Sequence, residues 1–162
     1  MVTGLRFDET MSGPVAIGDG RELTVRLRVE IDDMARFLDD PQHRGRVVAN
    51  AEDAGTVAVF APTVDPRVYV IRYDVPVDVA DRRYRLVGVK RCATAGLRQL
   101  WPATTTLHTT LYDESGAVAA TGVLRIGLGR LLRSVLSMRG AVCSYLRFFT
   151  GELVATYLWR RV

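Results

Sequence analysis

Two ionisable residues stand where alternating strands turn their apolar side chains: Glu9 in the run Leu5, Arg6, Phe7, Asp8, Glu9, Thr10, Met11, and Lys90 closing Tyr84 to Lys90. Successive strand residues point to opposite faces, so Leu5, Phe7, Glu9 and Met11 share one face while Arg6, Asp8 and Thr10 share the other. A carboxylate on an interior face must be paired, hydrogen-bonded or protonated, and such residues concentrate at functional sites. The alternative is a strand end that twists Glu9 out to water. For Lys90 the phase that also turns Tyr84, Leu86 and Gly88 inward brings it to Glu9; the opposite phase turns Val87 and Val89 inward and leaves the lysine in solvent. Paired inside, the two residues can act as a register-fixing ion pair. They can equally polarise a ligand carbonyl or hold a proton donor beside it, with Tyr69, Tyr73 or Tyr84 nearby.

Other chemistry-bearing types lack a partner at diagnostic spacing. The two histidines, His43 and His108, have no local acid or hydroxyl set for relay, and Cys92 and Cys143 lie far apart without a CxxC. No nucleophile elbow, Walker loop, dinucleotide fingerprint or metal-ligand cluster occurs, and Gly127, Gly129 and Arg130 lack the lysine and spacing of a phosphate cradle. No cofactor is expected. Trp101, beside Pro102, packs by default or lines a pocket together with Phe7 and Met11.

The elements that must position these residues follow from periodicity. The 162 residues, 48% hydrophobic, suit one domain with a proper core. After a turn at Gly18, Asp19 and Gly20, Leu23, Val25, Leu27, Val29 and Ile31 form the cleanest alternation in the chain. Asp32 or Asp33 caps a short plug helix around Met34 to Leu38, ended before Pro41. A third strand carries Gly45, Val47, Ala49 and Ala51 inward. A fourth runs to about Ala61 and a fifth turns Tyr69, Ile71, Tyr73 and Val75 inward. The sixth carries Lys90. A loop with Gly96 leads to a seventh strand from about Ala103 to Tyr112, and the eighth, Val118 to Ile126, turns Val118, Ala120, Gly122, Leu124 and Ile126 inward. From Leu128 to about residue 159 the period changes to that of amphipathic helices, divided near Gly140. The expected fold is therefore mainly β, an eight-stranded antiparallel β-barrel of lipocalin or calycin type, with the plug helix and the C-terminal helices attached.

A net charge of +4 comes almost wholly from scattered arginines, Lys90 being the only lysine. Without basic runs interleaved with aromatics, nucleic acid is an unsuitable partner. The longest apolar stretch is broken by Arg130, Arg133, Arg139 and Arg147, so no membrane span is expected, and the lack of a leader pattern points to the cytoplasm.

Several segments in order resemble a family of actinobacterial domains attached to or beside GMC-type oxidoreductases of the cholesterol oxidase kind. They are Phe7, Glu9, Met11 and Gly13; Arg36 to Pro41 with His43; Gly88-Val89-Lys90; Leu100 to Leu107; Gly122 to Ile126; and Arg147 to Leu153. The resemblance implies company with sterols, polycyclic lipids or polyketides and an oxidoreductase partner. It carries no oxidase activity, because the chain lacks a flavin fingerprint. Two functions are expected from these readings: a cofactor-free, pericyclase-like cyclase for an apolar polyketide or polyene, with Glu9 and Lys90 as its catalytic groups, or a non-catalytic sterol or lipid carrier. A homodimer is compatible with either.

Overall fold

Ten-residue alternation in the first two runs produces an unbroken ladder at the chain start: β1 (Leu5–Pro14) pairs antiparallel with β2 (Glu22–Ile31), Leu5 opposite Ile31 through Pro14 opposite Glu22. The computed structural model describes residues 3–17, 22–50, 53–93 and 97–159. The expected turn at Gly18 to Gly20, and Ala51 and Gly96, lie outside the described residues. The chain continues through α1 (Met34–Asp39), β3 (Arg44–Val48), β4 (Ala54–Pro62), β5 (Val68–Val79), β6 (Arg82–Ala93), α2 (Leu100–Thr105), β7 (Thr106–Tyr112), β8 (Val118–Arg125), α3 (Leu128–Ser137), β9 (Arg139–Gly140) and α4 (Val142–Val154). A π-helical turn over Ala155–Trp159 follows.

The sheet is wholly antiparallel, and its nine strands run in the order β2-β3-β4-β5-β6-β7-β8-β1-β9. Because β1 also pairs with β2, eight of them form a hydrogen-bonded ring. The ninth, a two-residue strand unforeseen in the sequence, pairs Arg139 and Gly140 with Arg6 and Leu5. Gly140 takes a positive φ of 102°, which breaks the helical run where the period change predicted a division. Inside the ring, Leu23, Val25, Leu27, Val29 and Ile31 of β2 are all buried, as are Ile71, Tyr73, Val75 and Val77 of β5.

The narrowest part of the ring is the β8–β1 seam, held by the pair Ser12 and Arg125 and by a bridge between Val15 and Gly122. A Cβ on Gly13 would run into the Val123 carbonyl, and one on Gly122 into the Pro14 carbonyl and Val15. Both obstacles include backbone, so relief requires the strands to part. Gly13→Ala and Gly122→Ala are each expected to lower the urea unfolding free energy by about 1 to 3 kcal/mol.

Three strands differ from their expected bounds or faces. Residues 103–105 are helical, because Pro102 sits in the first turn of α2, where its missing N–H is not required. The threonines that read as strand formers instead bond back along the helix, Thr104 Oγ1 to the Leu100 carbonyl at 2.9 Å and Thr105 Oγ1 to that of Trp101 at 2.6 Å. In β8 a register shift against β7 sets Ala120 opposite Leu111 but Val118 opposite Tyr112, and this turns Val118 out to solvent. The third strand stops at Val48, and the Asn50 side chain beyond it bonds both the N–H and the carbonyl of Asp78.

Asp33 caps α1, accepting from the N–H groups of Ala35 and Arg36 at 2.8 and 3.2 Å, and the helix buries Met34 and Phe37 while Leu38 stays exposed. Phe37 meets His43 and Phe148 edge-on, and His43 and Phe148 lie 4.7 Å apart. Burial holds the His43 imidazole below its ordinary pKa of 6.5, against the opposing charges of Glu152 and Asp40. The unfolded chain therefore takes up a proton near pH 6.5 that the folded chain refuses, so this contribution to stability is full above pH 6.5 and lost as pH falls below it. His43 also has a left-handed φ of 47°, which asparagine tolerates. Urea midpoints measured from pH 8 to 5 are expected to fall less steeply below pH 6.5 in His43→Asn than in the natural chain.

Candidate functional site

In the order of the ring β1 stands across from β5, four strands away by either route, so a contact between them crosses the interior. Glu9 makes that contact. Its Oε1 accepts from Lys90 Nζ at 2.8 Å and its Oε2 from the Tyr73 hydroxyl at 2.6 Å. Lys90 also lies 3.4 Å from the Tyr73 oxygen and 5.3 Å from its ring centroid. Tyr73 and Lys90 come together because β5 and β6 pair Tyr73 with Gly88 and Ile71 with Lys90. Lys90 is 2% exposed and Glu9 7%, so the inward phase of both strands is the one adopted.

This polar bridge divides the interior. Beyond it Met11, Leu27, Val75, Leu86, Leu107 and Leu111 are fully buried in the core. On its other side lies a cavity of about 430 Å³, within the size range of small-molecule sites. Phe7, Val29, Val57, Val59 and Ile71 wall it from the strands, with the bridge as its floor. Trp101 of α2, Leu131 and Val135 of α3, and Tyr145, Leu146 and Phe149 of α4 complete it from the helical side. Trp101, Val135 and Leu146 are also exposed, which places the mouth between the three helices.

Burial, then the Glu9 charge and the hydrogen bond to it, hold the Tyr73 phenol well above its usual range. It therefore stays protonated and serves as a donor. Tyr145 is shifted upward for the same first two reasons, burial and the nearby carboxylate. Lysine has three N–H donors. Glu9 and Tyr73 accept two of them, and Lys90 lines the cavity. Cys92 is no nucleophile at neutral pH, since burial pushes its thiol up to about 11. Among the described residues no group of three or more His, Cys, Asp and Glu side chains is placed to hold a metal ion.

No family model, curated protein or solved structure matches the chain. Of the residues singled out in the sequence, Glu9, Lys90, Phe7, Tyr73 and Trp101 meet at the cavity. Met11 is sealed in the core beyond the bridge, Tyr69 packs half-buried against the core, and Tyr84 lines a surface groove with Asp74, Arg85 and Tyr112. Tyr145 of α4 also lines the cavity, a residue that strand alternation does not single out. Its spacing with Phe149, one turn away on an amphipathic helix, was the available signal.

Proposed function

We propose that the ring is a ligand-enclosing barrel of the lipocalin kind and that the protein is a cofactor-independent cyclase for an apolar, carbonyl-bearing polyene or polyketide. The observation that carries this reading is the polar floor of an otherwise apolar cavity: Glu9, Tyr73 and Lys90 in mutual hydrogen bonds. Ring closure of a linear polyene is unimolecular, converting π bonds to σ bonds without loss or gain of atoms. A cavity that holds the reactive conformer supplies much of the acceleration by itself. A Lys90 proton, donated to a conjugated carbonyl, withdraws electron density from the alkene that is attacked, while Glu9 and Tyr73 fix the ammonium in place.

A specific observation favours the carrier as second reading: most of the bridge's hydrogen bonds are made among its own three groups, as in a structural cluster. Incubation with a linear ketone carrying a diene and an enone separates the two. Cyclised product formed above the spontaneous rate, and lost in Glu9→Gln under conditions where circular dichroism shows that variant folded, is the expected result. Saturable binding without turnover would identify a sterol or lipid carrier, of the kind an oxidoreductase partner would use.

A further inference from the structure

α3 is amphipathic, yet it is mounted with its polar side to the protein. Its one fully buried residue is Ser134, with Leu131 half-buried at the cavity. Ser137 accepts from the Asp8 N–H at 2.9 Å, and Arg130 Nη1 donates to the Ser12 hydroxyl, so the helix grips the outer face of β1 through its hydroxyls and a guanidinium. Leu128, Leu132, Val135 and Leu136, at spacings of four, seven and eight residues, form one stripe on the opposite side. They are 61%, 57%, 42% and 78% exposed. Four large apolar side chains are thereby left in contact with water.

The stripe runs into the cavity mouth, because Val135 belongs to both and the exposed Trp101 and Leu146 stand on the rim. Beside it the chain carries Arg133, Arg139 and Arg147, while Arg130 is turned to β1, and between residues 126 and 151 it has no Asp or Glu. Leucines and a tryptophan bordered by arginines without acids match the face that an interfacial helix presents to anionic lipid. A stable protein interface covers about 800 Å² per partner. A stripe of ten helical residues is only about 15 Å long, which suits shallow insertion between headgroups better than a second copy of the chain.

We propose that the α3 stripe docks on an anionic bilayer surface and opens the cavity mouth toward the lipid phase, so that an apolar ligand passes between membrane and cavity without crossing water. Among the described residues no helix is long and apolar enough to cross a membrane, so the contact is peripheral. It does not depend on whether the ligand is transformed or only carried.

Flotation with vesicles of phosphatidylglycerol and phosphatidylcholine tests the proposal on the full chain. The natural protein is expected to float with mixed vesicles at low salt, and to bind at least tenfold more weakly at high salt and to pure phosphatidylcholine. Leu132→Glu/Leu136→Glu alters only exposed positions and is expected to stay folded by circular dichroism, to bind β-ionone in solution as the natural chain does, and to lose flotation. Natural protein left in the soluble fraction, or a double variant that floats unchanged, would overturn the proposal. So would a dimer, seen by light scattering, that the double variant splits while neither protein floats.

Discussion

Lys90→Met and Glu9→Gln are each expected to lower the unfolding free energy by about 3 to 5 kcal/mol, the largest single-site effects anticipated in this chain. Either change leaves a charged partner, at most 7% exposed, without its counterion. At roughly 2 to 4 °C per kcal/mol for a domain of this size, the melting temperature should fall by about 10 °C, which differential scanning calorimetry reads directly. Tyr73→Phe removes one donor to Glu9 and keeps the ion pair, so its cost should be smaller, about 1 to 3 kcal/mol. The triple variant Glu9→Leu/Tyr73→Phe/Lys90→Met removes every polar group of the bridge together and is expected to recover much of the loss. Single variants as stable as the natural chain would mean that the bridge is solvated. A triple variant no more stable than the worst single one would mean that the bridge itself holds the opposite walls of the ring together.

The bridge was legible in the sequence because strand alternation fixes which face each residue takes. Glu9 shares a phase with Leu5, Phe7 and Met11, and all four are buried. What alternation does not encode is which strands stand opposite. Tyr73, Tyr69 and Tyr84 were equal candidates on sequence, and only closure of the ring brings Tyr73 to Glu9. A single register shift hid the exposure of Val118, since alternation assumes an unbroken ladder. The threonines of α2 were misread for a related reason: β-branched residues favour strands on average, yet their hydroxyls can bond carbonyls of the preceding turn, as Thr104 and Thr105 do. The inverted mounting of α3 was likewise out of reach. Periodicity locates an apolar stripe, and the side chains of β1, not those of the helix alone, decide which side is held.

Closing the cavity mouth is expected to have the largest effect on function. Val135→Trp replaces a small exposed side chain at the rim with a ring able to span toward Trp101 and Leu146, and it disturbs no buried residue. Stability should change by no more than about 0.5 kcal/mol, as for surface substitutions generally. Affinity for an apolar ketone such as β-ionone should fall about tenfold or more, a loss of about 1.4 kcal/mol or greater, measured by isothermal titration. Unchanged affinity would place the ligand elsewhere on the molecule, for instance in the surface groove beside Tyr84.

An apolar ligand that enters the cavity should present a carbonyl to the polar bridge. Infrared difference spectra of β-ionone carrying a ¹³C-labelled carbonyl, recorded in hexane and bound to the natural protein, test it most directly. Saturable binding is expected, with a carbonyl stretch at lower frequency than in hexane, the mark of a hydrogen bond donated by Lys90. Absence of saturable binding, or a bound carbonyl that absorbs at the hexane frequency, would contradict it.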